Sequence, residues 1–146
     1  MPSKYSKSNK SKIVKKCKKL ATHYHKGQIR KFGDDKGKPY IIHPQRIASK
    51  FDDEILKSVA WLHDVIEDTS VTPEMLLELG VPDEIVYGVE GMSREYDETY
   101  LDFILRAKEN LFACSVKIAD IEDNMMSLKE GSLKDKYRMA LYILEN

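Results

Sequence analysis

The chain has 146 residues, 42% of them hydrophobic and 33% charged, and its formal net charge at pH 7 is zero. That length suits one domain with its own core and excludes two large ones. No apolar run approaches the roughly 20 residues of a membrane span, and the N-terminus lacks the apolar stretch of a secretory signal.

Residues 1–10, mostly Ser, Lys and Asn, read as a disordered basic arm, and residues 11–146 as the domain. Eight of the 24 basic residues fall in the first twenty positions with no acid among them, which leaves the body acidic. Only Tyr5 is interleaved there for base stacking, so no nucleic-acid partner is expected. From Lys12 to His25 the apolar positions Ile13, Val14, Cys17, Leu20, Ala21 and Tyr24 recur every three or four residues, the period of an amphipathic helix. Gly27 to Lys38, with three glycines, is a loop. Pro44 marks a helix start with Ile47, Ala48 and Phe51 as its apolar face, and a helix from about Asp53 to Ile66 follows. Thr72-Pro73-Glu74 opens another that Gly80 closes, and Pro82-Asp83-Glu84 opens the next. Asp97 to Lys108, Leu111 to Leu128 and Ser132 to Leu144 complete the series. No hairpin dipeptide and no sustained alternation occur, so the fold class is all-α, a single bundle of about eight helices. Cys17 and Cys114 fit no metal-binding spacing and read as free thiols of a reducing cytoplasm.

The stretch His63-Asp64-Val65-Ile66-Glu67-Asp68 carries the chemistry. If residues 54–66 are helical, these four polar side chains share adjoining faces of one helix end. Three carboxylates packed that closely need a cation or protons to offset them. Taken alone, the stretch reads equally well as a capped, ion-paired helix end. His43 stands at a helix start fixed by Pro44, where it could also be a simple cap. Asp120 interrupts the core-like pattern Leu111, Ser115, Ile118, Ile121. Two imidazoles with two carboxylates form a mixed N/O donor set. Such a set suits manganese, iron, cobalt or zinc better than calcium or magnesium, and the lack of thiolates argues against structural zinc. Glu67 and Asp68 would remain to orient or deprotonate a water. Arg30 and Lys31, otherwise ordinary loop charges, could hold an anionic substrate, and a guanidinium can stack on a nucleobase.

Three ordered motifs carry a family resemblance. They are Ala21 to Pro44 with His25, Gly27-Gln28, Arg30-Lys31 and Pro39-Tyr40-Ile41-Ile42-His43-Pro44; Leu62 to Thr69; and Lys117-Ile118-Ala119-Asp120 with Asn124-Met125. Together, over about residues 13–130, they resemble the RelA/SpoT-type alarmone hydrolases, a group of HD-domain phosphohydrolases. The resemblance implies an HD fold with one manganese ion held by His43, His63, Asp64 and Asp120. It gives Glu67 and Asp68 the catalytic positions, Arg30 and Lys31 the guanine, and Asn124 a place near the sugar. The implied reaction removes the 3′-diphosphate of guanosine tetra- or pentaphosphate, giving GDP or GTP and pyrophosphate. With no room for a synthetase domain, it also implies a small stand-alone hydrolase like those of animals. The chain departs from the family at Ile121 and Asp123, where Arg and His are usual. Both positions are expected to line the nucleotide side. The loop between Lys31 and Tyr40 is longer than usual, and residues 89–110, including Tyr96 and Tyr100, resemble a set of small HD proteins instead. A hydrolase of another nucleotide or phosphate ester, and a non-catalytic nucleotide-binding regulator, therefore stay open as alternatives.

Overall fold

The computed structural model describes residues 7–146, so the first six residues of the expected arm lie outside it. Helix α1 spans Lys7–Tyr24 and starts five residues earlier than the apolar period predicts. Its buried face is set by Cys17 and Ala21, with Ile13, Val14, Leu20 and Tyr24 partly buried beside them.

The loop that follows folds back on itself. Ile29 bridges Pro39 in antiparallel fashion, with Arg30 N donating to Lys38 O and Tyr40 N to Gln28 O. Helix α2 (Ile42–Ala48) places Pro44 in its first turn, where no intrahelical donor is required of it. Helix α3 (Glu54–Leu62) is capped by Asp53, whose carboxylate accepts from Leu56 N at 2.9 Å. It packs on α1 and α2, on α6 (Asp83–Gly91) and on α8 (Leu111–Met125), and so lies at the centre of the bundle. Ser58 to Leu62 are all buried there.

The sequence reads Asp53 to Ile66 as one helix, but the backbone breaks at His63 and Asp64 before a short α4 (Val65–Asp68). Asp64 sits at φ −104°, ψ 0°, outside the helical basin, and this turns the chain. The eight expected helices thus become nine α-helical segments among the described residues. Thr72 caps α5 (Pro73–Glu78) and Thr99 caps α7 (Tyr100–Glu109) through their hydroxyls, while Asn110 caps α8 through its side-chain carbonyl. Helix α9 (Ser132–Glu145) packs on α7 and α8.

Two apolar clusters result. The larger joins α1, α2, α3, α5 and α6 to Ala113, Val116 and Ala119 of α8. The smaller unites Phe103, Ile104 and Ala107 of α7 with Ile121 of α8 and Ala140 and Leu144 of α9. Helix α8 serves both. Its buried face runs through Ala113, Val116 and Asp120; Leu111, at 77% exposure, and Ser115 lie outside it, contrary to the pattern read from sequence. Both cysteines are free thiols, and no described helix is long and apolar enough to cross a membrane.

Candidate metal centre and cleft

His43 of α2, His63 at the end of α3 and Asp120 of α8 are buried together, and each offers a ligand atom within 4.8 Å of the others. Each imidazole is fixed from behind. His63 Nδ1 lies 2.7 Å from Ala60 O and donates to it, because a carbonyl can only accept. His63 Nε2 therefore faces inward, 2.9 Å from Asp64 Oδ2 and 3.5 Å from Asp120 Oδ1. His43 Nδ1 lies 2.7 Å from Asp123 Oδ2, and His43 Nε2 lies 2.9 Å from Asp120 Oδ1.

Lone pairs turned on carboxylate oxygens at this range repel unless a cation or proton sits among them. The titration behaviour follows. Burial opposes charge on His63, yet Asp64 and Asp120 outweigh it and raise its proton affinity well above the ordinary value. Burial likewise opposes ionisation of Asp120, and Lys117 and His63 reverse that, holding its carboxyl well below the usual range. Lys117 Nζ donates to Asp120 Oδ2 at 2.9 Å. A buried centre that draws this much positive charge fits a metal ion, and its imidazole and carboxylate donors match a divalent transition metal. The outward hydrogen bonds of the two imidazoles are those that keep metal-bound histidines in place.

The fold brings the other residues singled out in the sequence to the same spot. Asp64 adjoins His63 and accepts the Tyr40 hydroxyl. Glu67 and Asp68 line the adjacent cavity, about 650 Å³ in volume, with Lys117 and Asp120. Burial raises Glu67, and burial with the charges of Asp64 and Glu67 pushes Asp68 up to about 6. Arg30, Lys31 and Asn124 line the same cavity. Arg30 is more constrained than an ordinary loop cation. It is 8% exposed, its guanidinium lies 5.6 and 5.7 Å from the Phe32 and Tyr40 ring centroids, and NH2 donates to Asn124 Oδ1 at 3.1 Å. Asn124 in turn donates to Asp120 Oδ1 at 3.3 Å.

The expectation that Ile121 and Asp123 line the nucleotide side fails. Ile121 is buried in the smaller core. Asp123 is 4% exposed and sits behind His43, where Arg46 also grips it at 2.6 and 2.8 Å. Its position three residues after Asp120, on an adjoining face of α8, is the signal that could have found it.

Tyr40, Lys117 and Tyr137 also line the cavity with no role assigned from sequence. His25 is buried, with Nδ1 2.8 Å from Gln28 Oε1, and Gln28 Nε2 donates to Asp68 O at 3.3 Å. The first motif is thereby fastened to the acidic tip.

Fold and site together define an all-α domain with a buried His/Asp centre at the head of a polar cleft. Comparison with known proteins makes the class particular. The chain is 36% identical over 135 residues to a guanosine-3′,5′-bis(diphosphate) 3′-pyrophosphohydrolase of Haemophilus influenzae, covering 82% of the chain and 19% of that protein. It is 32% identical over 151 residues to the bifunctional (p)ppGpp synthase/hydrolase SpoT of Escherichia coli, covering 92% of the chain and 20% of the relative. A GTP pyrophosphokinase of Myxococcus xanthus matches at 29% over 151 residues, with 91% and 19% covered. The chain thus spans about a fifth of the length of the curated relatives it matches. A solved metazoan structure, described as a SpoT orthologue that hydrolyses ppGpp, shares the fold at a TM-score of 0.68 and 22% identity, covering 97% of the chain and 86% of that structure. No family model matches. Over most of its length the chain is thus similar to one segment of SpoT-type proteins, and it shares its fold with the metazoan orthologue.

Proposed function

We propose that the chain is a manganese-dependent guanosine-3′,5′-bis(diphosphate) 3′-pyrophosphohydrolase. The observation that carries this reading is that His43 and Asp120 of the buried His43–His63–Asp120 cluster line one cavity together with Glu67, Asp68, Arg30, Lys31 and Asn124. In this reading His43, His63, Asp64 and Asp120 hold the ion. A divalent metal bound there supplies Lewis acidity toward a phosphoryl oxygen and makes water more acidic. Glu67, its proton affinity raised by burial, takes the proton of the attacking water, and Asp68 beside it orients the diphosphate. Lys117 balances charge at the centre. Arg30, Lys31 and Asn124 receive the nucleoside end. Water adds to the phosphorus of the 3′-diphosphate, the bond from that phosphorus to the 3′-oxygen breaks, and GDP and pyrophosphate leave.

The test is a panel of nucleotides incubated with the protein and manganese, scored for pyrophosphate and orthophosphate. Release of pyrophosphate from ppGpp, abolished by chelation, is the expected result. Turnover confined to other phosphate esters replaces the alarmone with that substrate. Tight ppGpp binding without turnover identifies a regulator instead.

A further inference from the structure

The segment between α6 and α7 sits on the acidic tip, and Arg106 of α7 ties it to the bundle. Glu67 Oε1 accepts the backbone N–H of Arg94 at 2.6 Å. Among the described residues this is the hydrogen bond that fixes the Glu67 carboxylate, and Glu67 lines the cavity.

Residues 94–99 are not helical, and the backbone hydrogen bond within them, Glu98 N to Glu95 O at 3.1 Å, does not involve Arg94. Arg106 holds the segment instead. Its Nε and NH2 donate to the two Glu98 carboxylate oxygens, each at 2.8 Å. NH2 also donates to Ser93 O at 2.6 Å and NH1 to Glu90 O at 3.0 Å. The guanidinium thus ties the end of α6, the residue just before Arg94 and the far side of the segment to one rigid fork. Glu98 completes the clamp by accepting from Glu95 N at 3.0 Å, while Arg94 Nε donates to Glu98 O at 2.9 Å.

We propose that Arg106 is a positioning residue for Glu67. Through the Glu98-clamped segment it holds the Arg94 amide on Glu67 Oε1, and so presents the other carboxylate oxygen to the attacking water. The inference rests on Glu67 acting on that water, as proposed above. A carboxylate on two rotatable bonds beyond its Cβ otherwise samples orientations that point both oxygens away from the cleft. Misplacing a reacting group by an ångström costs about 100-fold in rate.

Steady-state kinetics and amide hydrogen exchange on the manganese-loaded protein test this. Arg106→Met is expected to lower kcat about 10- to 100-fold with KM changed less than about two-fold, because the substrate-holding wall is untouched. In a Glu67→Gln background the same substitution is expected to add no further loss. The Arg94 amide, protected in the wild type, is expected to exchange at least ~10-fold faster in Arg106→Met and in Glu67→Ala. An equal loss of kcat in both backgrounds, or undiminished Arg94 protection in Arg106→Met, overturns the proposal. If Arg106→Met does not fold, Glu98→Gln carries the same comparisons, with a smaller loss in the same direction expected. Should the wild type turn over no nucleotide, the proposed activity falls. The exchange arm still decides whether Arg106 seats the Arg94 amide on Glu67.

Discussion

Asp123 shows how one carboxylate can matter without facing the cleft. It holds His43 Nδ1 and is itself gripped by Arg46, which also reaches Asp35 at 2.7 Å. Asp123→Asn keeps the shape but weakens this hold on the imidazole. It is expected to lower manganese affinity about 10- to 100-fold, as outer-shell substitutions do. Calorimetric titration with manganese checks this, and unchanged affinity would leave Asp123 as a partner of Arg46 only. Glu67 makes the opposite case, since it is not among the residues proposed to bind metal. Glu67→Gln is expected to retain metal by elemental analysis while kcat falls at least ~100-fold, because an amide cannot accept the proton. A Gln variant with wild-type turnover would reduce Glu67 to a structural acid that anchors Arg94.

The elements were legible in sequence where local chemistry decides them. Thr72-Pro73 and Pro82-Asp83 start helices because a capping hydroxyl or a pre-set φ acts on the next few residues alone. The break between α3 and α4 was not legible, since apolar periodicity continues through Val65 and Ile66 while the turn at Asp64 is stabilised from elsewhere. Tyr40, 24 residues away, donates to that carboxylate. The residues of the site were legible as types, because few side chains bind metals. The Arg106 clamp was not, as its role depends on which helix faces which, and Asp123 offered only its spacing from Asp120. Close packing of α6 on α8 is another such fact. A Cβ on Gly91 would lie 2.7 Å from Ala113 Cβ and 2.4 Å from Asn110 Nδ2, the side chain that caps α8. Gly91→Ala is therefore expected to destabilise the fold by about 1–3 kcal/mol, through overpacking that outweighs the helical preference for alanine. Thermal denaturation monitored by circular dichroism reads this directly, and a melting temperature at or above wild type would show that the helices can separate at no cost.

At the scale of the whole molecule, the site lies where the two apolar clusters meet. α8 carries Val116 and Ala119 into one cluster and Ile121 into the other, with Asp120 between them. An ion bound there by α2, α3 and α8 ties these elements together in the native state alone. Manganese at about 100 times its dissociation constant is expected to stabilise the fold by about 2.7 kcal/mol, seen as a higher melting temperature that chelation reverses. His43→Ala and Asp120→Ala should abolish that shift, and a shift that persists in both would place the ion elsewhere. The same geometry bears on the order of events in folding. Arg30 meets Asn124 across 94 positions, His43 meets Asp123 across 80, and His43 meets Asp120 across 77. The α7–α9 cluster, in contrast, gathers residues from 100 onward and closes far shorter loops. Loop entropy and contact order favour the near contacts over the far ones. The cluster at the end of the chain is thus expected to condense first and the donor set to converge last, when α2 and α3 dock on an α8 already held from its other side, an order that pulsed hydrogen exchange during refolding reads.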